Sequence, residues 1–164
     1  MQNSERKTGN AAVFCDDHDV CVEDVTAFAA RVCSERGARL TPIRKRVLEI
    51  VARAHKPVKA YDILADLSSF AKPPTVYRAL DFLIENGLVH KLSSISSYSA
   101  CFHPESGHAE CFFLICSECG GSREFCGSDL SGAIEGAVSR EAFHKKNAVV
   151  EVLGTCAVCA EDGR

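Results

Sequence analysis

The 164-residue sequence has no apolar run approaching the length that spans a bilayer, and its polar N-terminus has no apolar core of the secretory kind. These two absences predict a cytoplasmic protein. A reducing compartment argues against a disulfide framework. The chain nevertheless holds ten cysteines, so metal ligation or redox chemistry must account for them. No excess of positive charge is present either: the formal net charge is −3. That would argue against a nucleic-acid partner, but the distribution reverses it. Between Arg31 and Lys91 stand twelve Lys/Arg against six Asp/Glu, a net of +6; elsewhere seven stand against sixteen, a net of −9. A basic half joined to an acidic half suits a DNA-binding domain attached to a domain with another task.

Residues 1–23 carry no apolar period and predict a disordered tail. Cys15, His18 and Cys21 are soft ligands at short spacing there, but so short a polar segment buries too little to offset its ordering entropy. The first helix is predicted over 24–36, on Val25, Phe28, Ala29, Val32 and Cys33, and Gly37 ends it. Thr41 is placed to cap a second helix with Pro42 at its first position. Val47, Leu48, Ile50 and Val51 face inward. Arg44, Lys45 and Arg46 face mostly outward, where they read equally as phosphate contacts or as a solvated face. A third helix is predicted from Ala60 to Ser69, burying Ile63, Leu64 and Leu67.

The stretch from Lys72 to Lys91 organises the first domain. Prolines 73 and 74 fit the first turn of a helix, which needs no backbone N–H. Val76, Ala79, Leu80, Leu83 and Ile84 form one apolar face. Gly87 stands where a left-handed C-cap belongs. Strands at 88–92 and 97–102 follow, joined by a polar turn, with Tyr98 and Phe102 packing inward. A helix carrying Tyr77 and Arg78 near its start, followed by a hairpin, is how a winged helix-turn-helix presents its recognition helix. The expected fold is α+β: a winged helix-turn-helix DNA-binding domain over 24–102, a hinge over 103–109, and a small α/β dimerisation domain over 110–164. In the latter, Cys111–Cys116, 122–126 and 148–153 read as strands. A helix capped by Ser128 turns Leu130, Ala133, Ile134, Ala137 and Val138 inward. So small a domain needs a staple or a partner subunit.

Two C-x-x-C knuckles, Cys116/Cys119 and Cys156/Cys159, supply the staple. Each follows a strand, and two such turns complete a tetrahedral thiolate shell. A pair of redox dithiols is the alternative. It is disfavoured because the thioredoxin type opens a helix. A closed four-thiolate shell leaves no open position, so this zinc is structural.

The words PPTVYRALDFL and GLVHK, together with the knuckles, resemble the ferric uptake regulator (Fur) superfamily, and specifically its zinc uptake regulator (Zur) branch. The resemblance covers roughly residues 24 to 160. It implies a second, regulatory zinc at His90, Cys101, His108 and Glu124, within LVHK, YSAC, GH and REF. Singly, each of these reads as readily as a packed residue. Two nitrogens, one thiolate and one carboxylate suit tetrahedral zinc better than an all-oxygen ion or iron. His90 and Cys101 stand before the hinge, His108 at its far end and Glu124 beyond it, so a metal there would fix the angle between domains. The resemblance further implies two zinc ions per subunit and a homodimer. When zinc-loaded, the homodimer would repress zinc-uptake genes by binding AT-rich inverted repeats in double-stranded operator DNA. Tyr77 and Arg78 are the base-reading candidates; Lys72, Thr75 and Arg44 are further DNA-binding candidates. No catalytic residue, membrane or small-molecule substrate is implied.

The sequence departs from the superfamily in two places. Only His103 and His108 stand where many members carry a histidine-rich run, and Asn147 stands in place of a histidine before the last strand. Cys126, His55 and His144 have no evident role. Three rivals remain: an iron- or peroxide-sensing branch of the superfamily, a zinc hydrolase using His90, His108 and Glu124, and a zinc-stapled interaction module without DNA binding.

Overall fold

A computed structural model of the chain describes residues 18–54, 56–67, 71–101, 111–126, 128–145 and 148–161. The expected hinge and most of the expected tail lie outside these residues, as do Cys15, His55, Phe102, His103, His108 and Asn147. Among the described residues no helix is long and apolar enough to cross a membrane.

The first half is helical. Helix α1 spans His18–Glu35, α2 Pro42–Arg53, α3 Ala60–Asp66 and α4 Pro73–Glu85. Helix α1 starts six residues earlier than the sequence predicts. Val22 is buried and extends the stripe of Val25, Ala29 and Cys33 by one more turn, so the helix gains a packed face rather than fraying at residue 24. Thr41 does not cap α2 through its side chain; its carbonyl instead accepts the Lys45 N–H at 2.9 Å. The apolar faces of α2 and α4 close on Ile63 of α3 to form one core.

Helix α4 stops as its sequence dictates. Gly87 has φ +70°, which a glycine adopts without a Cβ clash. The Leu88 N–H reaches the Leu83 carbonyl and the Gly87 N–H the Ile84 carbonyl, both at 2.9 Å, which completes a Schellman motif. The chain then enters strand β1, Val89–Leu92, a 3-10 turn at Ser93–Ile95, and strand β2, Ser97–Ala100. Leu88, Val89, Tyr98 and Ala100 sit in the same core as Leu80 and Leu83, so the wing and α4 are packed as one body. Val58 adds an edge bridge to Tyr98 through two backbone hydrogen bonds, at 2.8 and 2.9 Å.

The second half is a three-stranded sheet of order β4-β3-β5, with β3 at Cys111–Cys116, β4 at Ser122–Cys126 and β5 at Val150–Gly154. Helix α5, Ser128–Arg140, crosses from β4 to β5, and a short α6, Ala157–Glu161, ends the described chain. Strand β3 is antiparallel to β4 and parallel to β5. Its Phe113 and Ile115 face the wing and pack with Leu92 and Ile95. The opposite face carries Leu114 and Val152, about half exposed. The apolar stripe of α5 is not buried as the sequence predicts: Leu130 is 41% exposed, and Ala133 and Ala137 are exposed too. Among the described residues nothing buries that stripe, though Ile134 and Val138 are partly covered.

Candidate metal centres and nucleic-acid face

The two knuckles meet because their strands are neighbours. Cys116 ends β3 in register with Gly154 at the end of β5, so the turns that follow emerge side by side. The first turn closes through the Gly120 N–H to the Cys116 carbonyl, with Gly120 at φ +69°. Two amides also address sulfur: Cys156 N–H donates to Cys116 Sγ at 3.3 Å, and Gly121 N–H to Cys119 Sγ at 3.4 Å. Cys119 Sγ lies 4.0 Å from Cys156 Sγ, and all four sulfurs lie within 4.8 Å of one another. Zn–S bonds of about 2.3 Å would hold tetrahedral sulfurs about 3.8 Å apart, so the set fits zinc with little movement.

Two of the thiols are shifted in opposite directions. Backbone N–H groups of Cys119 and Cys156 lower the Cys116 thiol to about 6. Hydrogen bonding to Cys156, with burial, pushes the Cys159 thiol up to about 12. The second knuckle does open a helix, α6, contrary to the sequence argument against a redox pair. What separates the readings is the gathering of four sulfurs at one point, where a dithiol needs two.

The second set joins the halves. His90 lies on β1, Cys101 follows β2, and Glu124 lies on β4. Their ligand atoms also lie within 4.8 Å of one another. His90 Nε2 stands 3.1 Å from Glu124 Oε1, and Cys101 Sγ 3.7 Å from the same oxygen. The Glu124 side chain is 8% exposed. Cys101 is fixed by its N–H bond to the Leu88 carbonyl, and the His90 ring lies 5.1 Å from the Phe113 ring. A buried nitrogen, thiol and carboxylate converging from β1, the end of β2 and β4 suit a borderline-soft ion. His108, the fourth expected member, lies outside the described residues.

On α4, the buried positions Val76, Ala79, Leu80 and Leu83 leave Thr75, Tyr77 and Arg78 exposed, with Lys72 at the cap. Tyr77 and the exposed Tyr61 of α3 border a shallow apolar groove floored by Ala60, Leu64, Pro73 and Val76. Tyr61 was not singled out by the sequence reading; its place at the outer start of α3 is the only signal it gives. Arg44 is engaged within the fold. Its guanidinium lies 3.5 Å from the Phe82 ring centre and donates to the Arg39 carbonyl at 2.6 Å. Arg46 pairs with Glu49 at 3.2 Å. Glu151, also missed by the sequence reading, faces the wing from β5; a charge inside the apolar run of that strand was the available signal.

Residues 35–153 match the family model described as "Ferric uptake regulator family". The chain belongs to the ferric uptake regulator family. Within it, the chain is 37% identical over 143 residues to the zinc uptake regulation protein of Escherichia coli K12, covering 85% of this chain and 83% of that protein. A solved zinc uptake regulator complexed with zinc and DNA superposes with a TM-score of 0.82 at 35% identity, covering 87% of this chain and 97% of that one. The holo structure of XcZur gives 0.78 at 46% identity, covering 85% and 99%. The apo structure of XcZur gives only 0.51 at 42% identity, with coverage of 86% and 99%. This family member thus superposes more closely on the holo and DNA-bound relatives than on the apo one.

Proposed function

We propose that this chain is a cytoplasmic, zinc-responsive transcriptional repressor of zinc-uptake genes that binds operator DNA as a zinc-loaded homodimer. The observation that carries the reading is the cluster of His90, Cys101 and Glu124, whose members come from both halves of the chain. In this reading residues 24–102 are the DNA-binding domain, 103–109 the hinge and 110–164 the dimerisation domain.

Each subunit holds two zinc ions. Cys116, Cys119, Cys156 and Cys159 keep the structural one. His90, Cys101, Glu124 and His108 keep the regulatory one. Zinc, when bound, supplies a cation that donors from both halves share. The residues then do the rest. His90 and Cys101 belong to the wing, the wing is packed with α4, and Glu124 belongs to the sheet. Bringing those side chains together therefore sets the angle of α4 against the dimerisation domain. Tyr77 and Arg78 read base edges from α4, Arg through bidentate contact with guanine and Tyr against a thymine methyl. Lys72 and Thr75 address phosphates.

A second subunit is supported by the uncovered apolar stripe of α5 and by Leu114 and Val152 on the outer sheet face. An iron or peroxide sensor is disfavoured by Cys101 in the cluster. A hydrolase is disfavoured in this reading because His108, as the fourth donor, would close the shell that His90, Cys101 and Glu124 begin, and the sequence carries no acid/base motif beside them. The test is metal analysis of purified protein paired with binding to a DNA duplex selected from a random pool, with and without zinc. Zinc-independent binding, or no binding at all, overturns the reading.

A further inference from the structure

The sheet presents a second carboxylate to the wing. Glu151 of β5 and Glu124 of β4 both stand opposite Phe113 of β3, so the three residues form one row across the sheet. Phe113 packs on Leu92 of the wing between them. Glu151 Oε1 accepts the Ser93 N–H at 2.7 Å and Oε2 accepts the Ser94 N–H at 2.9 Å. These amides open the 3-10 turn at the wing tip, where no partner within the turn is available to them. The carboxylate therefore caps the turn with both oxygens, and charge-assisted bonds of this kind are the stronger ones. Burial pushes the Glu151 carboxyl up, but the Ser94 side chain and the Ser94 and Ser93 amides outweigh it and hold the group below its ordinary value.

The two carboxylates grip the wing at opposite ends. Glu124 meets His90 and Cys101 at its base; Glu151 meets the tip, three residues of strand further on, or about 10 Å. One attachment leaves a body free to swing about it, whereas two spaced attachments fix its orientation. Among the described residues Glu151 belongs to neither metal cluster, so it would act on the wing through its own contacts and not as a ligand.

We propose that Glu151 is a positioning residue of the switch: it clamps the wing tip to the dimerisation domain so that metal at the wing base fixes α4 in one orientation. The proposal rests on the regulatory reading above. It requires that the closed arrangement be shared between clamp and metal, so that losing the clamp lowers the closed fraction and with it the apparent affinity for both zinc and DNA.

The test uses full-length protein with both zinc sites loaded. Glu151→Gln keeps the volume but sets an amide N–H₂ against a backbone donor; Glu151→Ala removes both acceptors. Ser94→Pro deletes the Ser94 amide and hydroxyl donors from the opposite side. Hydrogen exchange of the peptide spanning residues 93–97 is measured with affinity for second-site zinc, by chelator competition, and for a duplex selected by the wild-type protein. Expected are an unchanged melting midpoint of the dimerisation domain, fast exchange at the wing turn, and zinc and DNA affinities weakened about tenfold. The Glu151→Gln/Ser94→Pro double variant loses no more than either single one. Unchanged exchange and affinities in both Glu151 variants, or losses that add in the double variant, overturn the clamp. The two readings separate: wild-type DNA binding that ignores zinc overturns the regulatory function, whereas wing-turn exchange reads the clamp directly.

Discussion

His90 Nε2 and Glu124 Oε1 meet at 3.1 Å although they lie on separate sheets, one in the wing and one in the second half of the chain. Cys101 Sγ reaches the same oxygen at 3.7 Å. Removing one donor from this convergence should leave both halves folded. Cys101→Ser is expected to give a folded dimer with one zinc per subunit and no zinc-dependent DNA binding. Metal content and a DNA titration with added zinc check it. Retention of a full zinc response would remove Cys101 from the regulatory set.

The four-sulfur site should behave differently. Small metal-stapled domains draw folding free energy from the metal, and this half buries little beyond Phe112, Phe113 and Ile115. Cys116→Ser is expected to unfold or de-dimerise the protein. Circular dichroism and sedimentation would show it. If Cys101→Ser and Cys116→Ser lose folding equally, the division into two sites is wrong.

Arg78 and Lys72 should separate base reading from phosphate contact. Arg78→Ala is expected to cost about 1–3 kcal/mol at a selected duplex and to relax preference at one base position. Lys72→Ala should weaken selected and random DNA alike and lower the salt slope by about one. Matching behaviour of both variants would make Arg78 a phosphate contact.

Arg44 stacks on Phe82 of α4 and donates to the Arg39 carbonyl, which ties α4 to the segment before α2. Arg44→Ala is therefore expected to lower stability by about 1–2 kcal/mol while leaving the salt slope of DNA binding in place. A lowered slope with unchanged melting would return Arg44 to the phosphate-contacting set.

Zinc and DNA should tighten each other. A ligand shifts a conformational equilibrium only by its differential affinity, and the coupling is reciprocal. With the structural zinc already in place, second-site zinc should bind more tightly in the presence of operator DNA by about 1–3 kcal/mol. Zinc titrations with and without the duplex measure it; equal affinities would mean that this site is not the switch.

Much of the chain is local information, and the sequence determined it. The stripe of Val76, Ala79, Leu80 and Leu83 made α4, Gly87 stopped it, and two C-x-x-C turns after strands marked the four-sulfur site. Periodicity and turn chemistry act over a few residues, so they can be read without a fold. Helix α1 began earlier than expected because Val22 finds a buried place in the core shared by the first four helices and the wing. The second cluster was legible through family likeness alone. His90 and Glu124 meet only because β1 lies over the sheet and Phe113 is aligned with Glu124. Register decided Glu151 as well: opposite Phe113 it faces the wing, and one residue to either side it would face away. The stripe of α5 shows the reverse limit, for the sequence marked it apolar but only the tertiary structure showed that the described residues leave much of it exposed. Which groups converge depends on how elements pack across long separations, and no spacing along the chain encodes that.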